Sequence, residues 1–143
     1  MHKAWFIIGG IIFILVIWGR ILDWSWKRQL KEVQDNRKPL MKYEYISLLK
    51  EKGYDPKHAE LIHDELKSWL MLDNFNMHPE DDVFRLYKID ESDIDILIDD
   101  ACKKLKIRKI EQKDCDLLNS KFETTSAEYL VALLQLASQE KLK

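Results

Sequence analysis

Residues 81–107 read DDVFRLYKIDESDIDILIDDACKKLKI, and the spacing within this stretch decides the fold class. At 3.6 residues per turn, Ile94, Leu97, Ile98, Ala101 and Leu105 share one side of a helix, while Glu91, Asp93, Asp95, Asp99 and Asp100 fan around the other sides. The pattern predicts a core face backed by an acidic one. Between Asp81 and Asp100 eight acids stand against Arg85 and Lys88 alone, so a negative field is expected here although the whole chain carries a formal charge of −2. Ile96 falls near the middle of the acidic arc, where solvent is expected. An apolar residue ringed by carboxylates suits a docking face for a basic protein partner; a solvated surface with one exposed isoleucine fits the same letters.

Outward from this stretch, every periodic segment is helical and no strand of any length is convincing. Residues 57–72 carry Ala59, Ile62, Leu66 and Trp69 at core spacing, behind Asp55 as N-cap and Pro56 at the first helical position. His58 and His63 are five apart, which does not align them as metal ligands, so both are expected in solvent. Residues 39–52 read as a further helix, with Pro39 in its first turn, Leu40, Tyr43, Ile46 and Leu49 on its apolar side, and Gly53 as its stop. Residues 73–79, DNFNMHP, read as loop. Past the acidic helix, residues 103–113 turn basic, which complements the helix dipole. A short piece at 114–122 follows. The last helix, 126–141, is capped by Thr125 or Ser126 and buries Leu130, Leu133, Leu134 and Ala137.

The amino-terminal end is of another kind. Residues 4–19, AWFIIGGIIFILVIWG, contain no charge and are bracketed by Lys3 and Arg20. With Arg20 snorkelling so that Ile21 and Leu22 extend the span, and with Trp5, Trp18, Trp24 and Trp26 at the interfaces, residues 1–22 are expected to form a single-pass membrane anchor through residues 4–22. A cleaved signal peptide is the competing reading, but no small-x-small cleavage site follows. Arg20, Lys27, Arg28, Lys31, Arg37 and Lys38 crowd the C-terminal flank, so the positive-inside rule places residues 39–143 in the cytoplasm. Residues 23–38 are then a basic juxtamembrane stalk against anionic headgroups.

Residues 57–140 resemble an acyl carrier protein domain in the order of their pieces. The matching pieces are a first helix at 57–72, an apolar and acidic run at Asp82-Val83-Phe84 leading to Ile89-Asp90, and the acidic helix to Ile107. The short 114–122 piece comes next, and Thr124-Thr125-Ser126-Ala127-Glu128-Tyr129-Leu130 opens the final helix. The resemblance implies an all-α fold: one transmembrane helix plus a small helical bundle like that of an acyl carrier protein. In carriers a serine after the Asp bears a phosphopantetheine arm; here Glu91 stands at that place and Ser92 follows one residue late, while Lys88 replaces the glycine usual before the turn. In its Asp-Glu-Ser-Asp turn the chain is similar to a bacterial acyl-carrier-like family that lacks the serine. Ser92 is therefore either a displaced phosphopantetheine site or a structural residue, an N-cap with Asp95 completing a capping-box-like pair, unless Asp90 caps instead.

Composition excludes several classes of function. The two cysteines, Cys102 and Cys115, have no CxxC spacing and read as free thiols, with Cys102 beside the acidic face and partly exposed. Asp23, Glu32 and Asp35 interrupt the basic run and the isoelectric point is near 6.1, which argues against nucleic acid. No P-loop, GxGxxG, HExxH or GxSxG is present, so neither an enzyme nor a metal site is expected. The sequence points to a membrane-anchored, non-catalytic docking module in which Glu91, Asp93, Asp95, Ile96, Asp99 and Asp100 bind a basic partner. The alternatives are an acyl carrier modified at Ser92 and a small inner-membrane regulator or immunity-type protein.

Overall fold

A computed structural model describes residues 2–71 and 75–141. Leu72, expected as a helix end, and Asp73 and Asn74, expected as a loop start, lie outside the described residues. Six helices form among the described residues: α1 (His2–Asp35), α2 (Lys42–Glu51), α3 (Pro56–Leu70), α4 (Glu91–Leu105), α5 (Gln112–Asn119) and α6 (Ala127–Lys141). Among the described residues no strand forms, and the single β-bridge joins Asp82 to Ser126. The chain divides into two compact units, residues 1–38 and 39–143.

The first unit is built on α1, 34 residues long and so roughly 51 Å at ~1.5 Å per residue. Its apolar stretch is long enough to cross a membrane, and nothing in that stretch is buried; a signal sequence has the same length and composition. In the C-terminal part Lys27 pairs with Asp23 at 3.3 Å and Arg28 with Glu32 at 3.5 Å, one turn apart in each case. The Arg28 guanidinium also lies 5.6 Å from the Trp24 ring centroid. Two of the cations expected to face headgroups are thus engaged within their own helix.

In the second unit α6 is the central element, touching α3, α4 and α5, while α2 packs on α3. That position explains a difference from the spacing argument. Beyond Leu130, Leu133, Leu134 and Ala137, α6 also buries Val131 and Ala132, because neighbours surround it on several sides. Its exposed N–H groups are satisfied by the preceding chain. Ser126 Oγ accepts from Tyr129 N at 3.2 Å, and the carbonyls of Asp81 and Pro79 accept from Ala127 N and Glu128 N at 3.2 and 2.9 Å.

The long connection from α3 to α4 is therefore fastened to the start of α6. Phe75, Met77, Val83, Tyr87 and Ile89 from this connection are buried. Asp81 is buried as well, accepting from Tyr87 Oη at 2.6 Å and His78 N at 2.9 Å, and Asp82 accepts from Phe84 N and Arg85 N at 2.9 Å each. These two acids hold the loop together and do not belong to the surface field expected from residue 81 onward.

Four further expectations are corrected by packing. Pro39 lies outside α2, which opens at Lys42 with Met41 N donating to Glu44 Oε2 at 3.1 Å. The buried face of α2 is Tyr45 and Leu49, one turn apart, while Tyr43 points to solvent. On α3 the buried stripe is Ala59, Ile62, Leu66 and Leu70, so Trp69, one position off it, stays 47% exposed. The short helix α5 begins at Gln112 and ends at Asn119.

His58 and His63 are buried, not solvated. Gln135 Oε1 accepts from Asp55 N at 3.1 Å and meets His58 Nδ1 at 3.0 Å, which makes Nδ1 the donor and ties the start of α3 to α6. The His63 ring stands edge-on to Tyr45, 4.9 Å between centroids, where α2 meets α3. Burial holds the His63 pKa below its usual 6.5, against the opposing pull of Asp64, which Lys42 engages at 2.9 Å. A depressed folded value means that the native state loses stability as pH falls from 6.5 through that folded value. His63→Phe keeps a ring against Tyr45 and removes the proton. The midpoint of urea unfolding is expected to drop between pH 7 and pH 5 in the parent and to drop less in this variant; equal drops would show that His63 does not carry the effect.

Candidate docking surface on α4

Helix α4 starts at Glu91, with Asp90 in the N-cap position at ψ 155° but making no side-chain cap bond. Lys88, two residues earlier, has φ 57°, a left-handed conformation that glycine adopts without cost, so the letter at this position departs from the backbone's preference. Ser92 is the second helical residue and is exposed, and it is not the N-cap. Glu91 and Asp93 in the first turn favour the helix dipole.

Ile94, Leu97, Ile98 and Ala101 are buried, as the spacing predicts, while Leu105 is half-buried. Cys102 is buried too, a correction to the partly exposed thiol expected here; burial first, then the Asp99 charge, pushes its pKa up and leaves it a poor nucleophile. Ile96 is 61% exposed.

The surface carboxylates of α4 differ from the acids around them. Glu60 and Asp64 pair with Lys42, Glu65 with Lys104, Glu111 with Lys113, Asp114 with Arg108 and Glu128 with Lys52. Glu91, Asp93, Asp95, Asp99 and Asp100 have no ion-pair partner among the described residues. Of the basic run that begins in the last turn of α4, Lys104 pairs with Glu65 on α3, Arg108 with Asp114 on α5 and Lys113 with Glu111 at the N-cap of α5, so these three cations form their ion pairs with other acids.

Tertiary packing also divides the five acids between two concavities. Glu91, Asp95 and Asp99 border a cavity of about 510 Å³ toward α5 and α6, floored by Ile94, Ile98 and Leu133. Asp93 and Asp100 border a groove of about 430 Å³ toward α3, lined also by Trp69, Met71, Ile96 and Leu97. Spacing alone presents the acids as one arc. Trp69 and Met71 do not follow from the sequence as part of this surface: spacing places Trp69 on the core stripe of α3, and only the burial of Leu70 in its stead turns it outward. Among the described residues no three His, Cys, Asp or Glu side chains are grouped to hold a metal ion.

Compared with family models, with curated proteins and with solved structures, the chain matches none of them.

Proposed function

We propose that the chain is a membrane-anchored docking module without catalytic activity. In this reading α1 spans a bacterial inner membrane once, residues 39–143 lie in the cytoplasm, and α4 binds a basic protein partner. The acyl-carrier-like arrangement of residues 57–140 belongs to the same reading, supported by the order of α3, a long connection that buries Met77, Val83, Tyr87 and Ile89, the acidic α4, the short α5 and a central α6. The observation that carries the proposal is the set of five surface carboxylates on α4 without ion-pair partners among the described residues, with Ile96 exposed between them.

Such a surface steers a cationic partner before contact and gains apolar area once Ile96 is covered. Each exposed charge pair adds only ~0.2–1 kcal/mol, whereas full burial of an isoleucine is worth about 1.5–3 kcal/mol. The acids therefore set association rate and salt dependence, and Ile96 sets residence time.

Placing a photo-crosslinking amino acid at Ile96 in the host tests this. A protein adduct is expected whose yield falls several-fold when Asp95, Asp99 and Asp100 are converted to asparagine; an adduct indifferent to those changes would reject electrostatic docking. Intact mass decides the carrier alternative: a phosphopantetheine-sized addition lost in Ser92→Ala would make the chain an acyl carrier. Loss of the adduct on exchanging residues 4–19 for an unrelated anchor would favour the inner-membrane regulator, whose partner is bound through the membrane.

A further inference from the structure

We propose that the groove between α3 and α4 receives a cationic amphipathic helix of a partner protein, its apolar side chains against Trp69, Met71 and Ile96 and its lysines or arginines on Asp93 and Asp100. This rests on the docking reading above and assigns it to one side of α4. Trp69, Met71 and Ile96 are 47%, 85% and 61% exposed and line one groove with the buried Leu97. Three large apolar side chains left open in one concavity are more than the scattered exposure normal for a soluble surface. The groove's third acid, Glu65, is already paired with Lys104, so Asp93 and Asp100 supply its unpaired negative charge.

The chemistry of the rim selects the occupant. An anionic membrane surface would accept tryptophan and methionine but would be repelled by two unpaired carboxylates. An added strand needs a sheet edge, and the described residues form no strand that could offer one. A helix needs no backbone partner and lays its side chains between two existing helices.

Register narrows the partner further. Along α4 the groove reads Asp93, then Ile96 and Leu97, then Asp100: acid, apolar pair, acid. The acids are two turns apart, roughly 10 Å along the axis at ~1.5 Å per residue. A complementary helix carries cations at i and i+7 with apolar residues at i+3 and i+4. Asp95 and Asp99 border the other cavity and add only longer-range attraction for a cationic partner.

The experiment uses the full chain in phosphatidylcholine nanodiscs with ¹³C-methyl methionine. Four methionines are present, of which Met71 lines the groove and Met77 is buried at 2%. Two synthetic helical peptides are titrated, one with lysine at i and i+7 around leucines at i+3 and i+4, the other with glutamate in place of lysine; empty nanodiscs give the lipid baseline. The Met71 methyl is expected to shift saturably with the lysine peptide while Met77 stays in place. Affinity should fall at least about tenfold with the glutamate peptide, with Ile96→Ser and with Asp93→Asn/Asp100→Asn, about 1.4 kcal/mol each.

A still Met71 signal with tight binding that depends on Asp95 and Asp99 would overturn the groove and leave docking on α4 standing. Absence of binding anywhere on α4 would sink both. A Met71 shift that grows with protein concentration in the absence of peptide would assign the groove to a second copy of the chain, and the proposal would be wrong.

Discussion

Leu134→Ala is expected to lower the unfolding free energy of residues 39–143 by about 3 kcal/mol, within the ~2–5 kcal/mol found when a fully buried leucine is cut back to alanine. Leu134 is 0% exposed and lies on the helix that touches α3, α4 and α5, so the space left behind cannot be filled by the collapse of a single neighbour. The same truncation at Leu117, 53% exposed on α5, should cost within about 0.5 kcal/mol. Urea unfolding of the full chain in detergent micelles reads both, since the helicity lost there comes from the second unit. A loss under about 1 kcal/mol at Leu134 would show that α6 does not hold the core together.

The contrast between Leu134 and Leu117 also shows how far the letters carry the fold. Periodicity found the stripe of α4 and the leucines of α6, and turn chemistry found the caps of α3 and α6, because those signals are local: Asp55 accepts from Lys57 N at 2.9 Å, two residues away. What periodicity cannot rank is how many neighbours a helix has. Val131 and Ala132 lie off the stripe of α6 and are buried only because other helices close over that side. His58 and His63 look like surface residues until Gln135, 77 positions beyond His58, and Tyr45 on a different helix supply their surroundings. Asp81 reads as one more surface acid, yet its partner Tyr87 lies six residues on, in a loop with no periodic signal.

The candidate site shows the same division. Which residues are acidic and that Ile96 stands among them could be read directly from the spacing. The separation of Asp93 and Asp100 from Asp95 and Asp99 could not, because it depends on α3 packing on one flank of α4 and the segment from Ile110 to Tyr129 bordering the other. The absence of ion pairs to these acids among the described residues was equally hidden, since Lys104 and Arg108 stand close to them in sequence and are engaged elsewhere. Lys104 reaches back to Glu65 on α3, and Arg108 reaches forward to Asp114 on α5.

The Arg108 pair gives the second large expected effect. Asp114→Asn should destabilise the second unit by about 2–3 kcal/mol at neutral pH. Asp114 is 4% exposed; both its oxygens accept from Arg108 at 2.8 Å, and Oδ2 also accepts from Glu111 N at 2.9 Å, which opens α5. The amide keeps the shape, but its NH₂ must face a donor, and an Arg108 side chain only 21% exposed loses the carboxylate that two of its nitrogens engage. That residual exposure is why the expected cost sits below the ~3–5 kcal/mol of a fully buried broken pair.

The pH dependence has a definite sign. Hydrogen bonds from Arg108 hold the Asp114 carboxyl below its usual 3.8, so its stabilisation is complete above that value and is lost as pH falls through the lower folded value. The gap between parent and Asp114→Asn should therefore narrow below pH 4 and stay constant from pH 5 to 8, measured as urea midpoints. A gap that persists undiminished at low pH would trace the loss to the N–H···O geometry of the α5 cap and not to charge. Replacing both partners, Arg108→Met with Asp114→Leu, separates the remaining terms. If the double variant recovers most of the loss, the single variant's cost is the guanidinium deprived of this carboxylate; if it recovers none, the bond to Glu111 N at the start of α5 is what fixes the α4 to α5 connection.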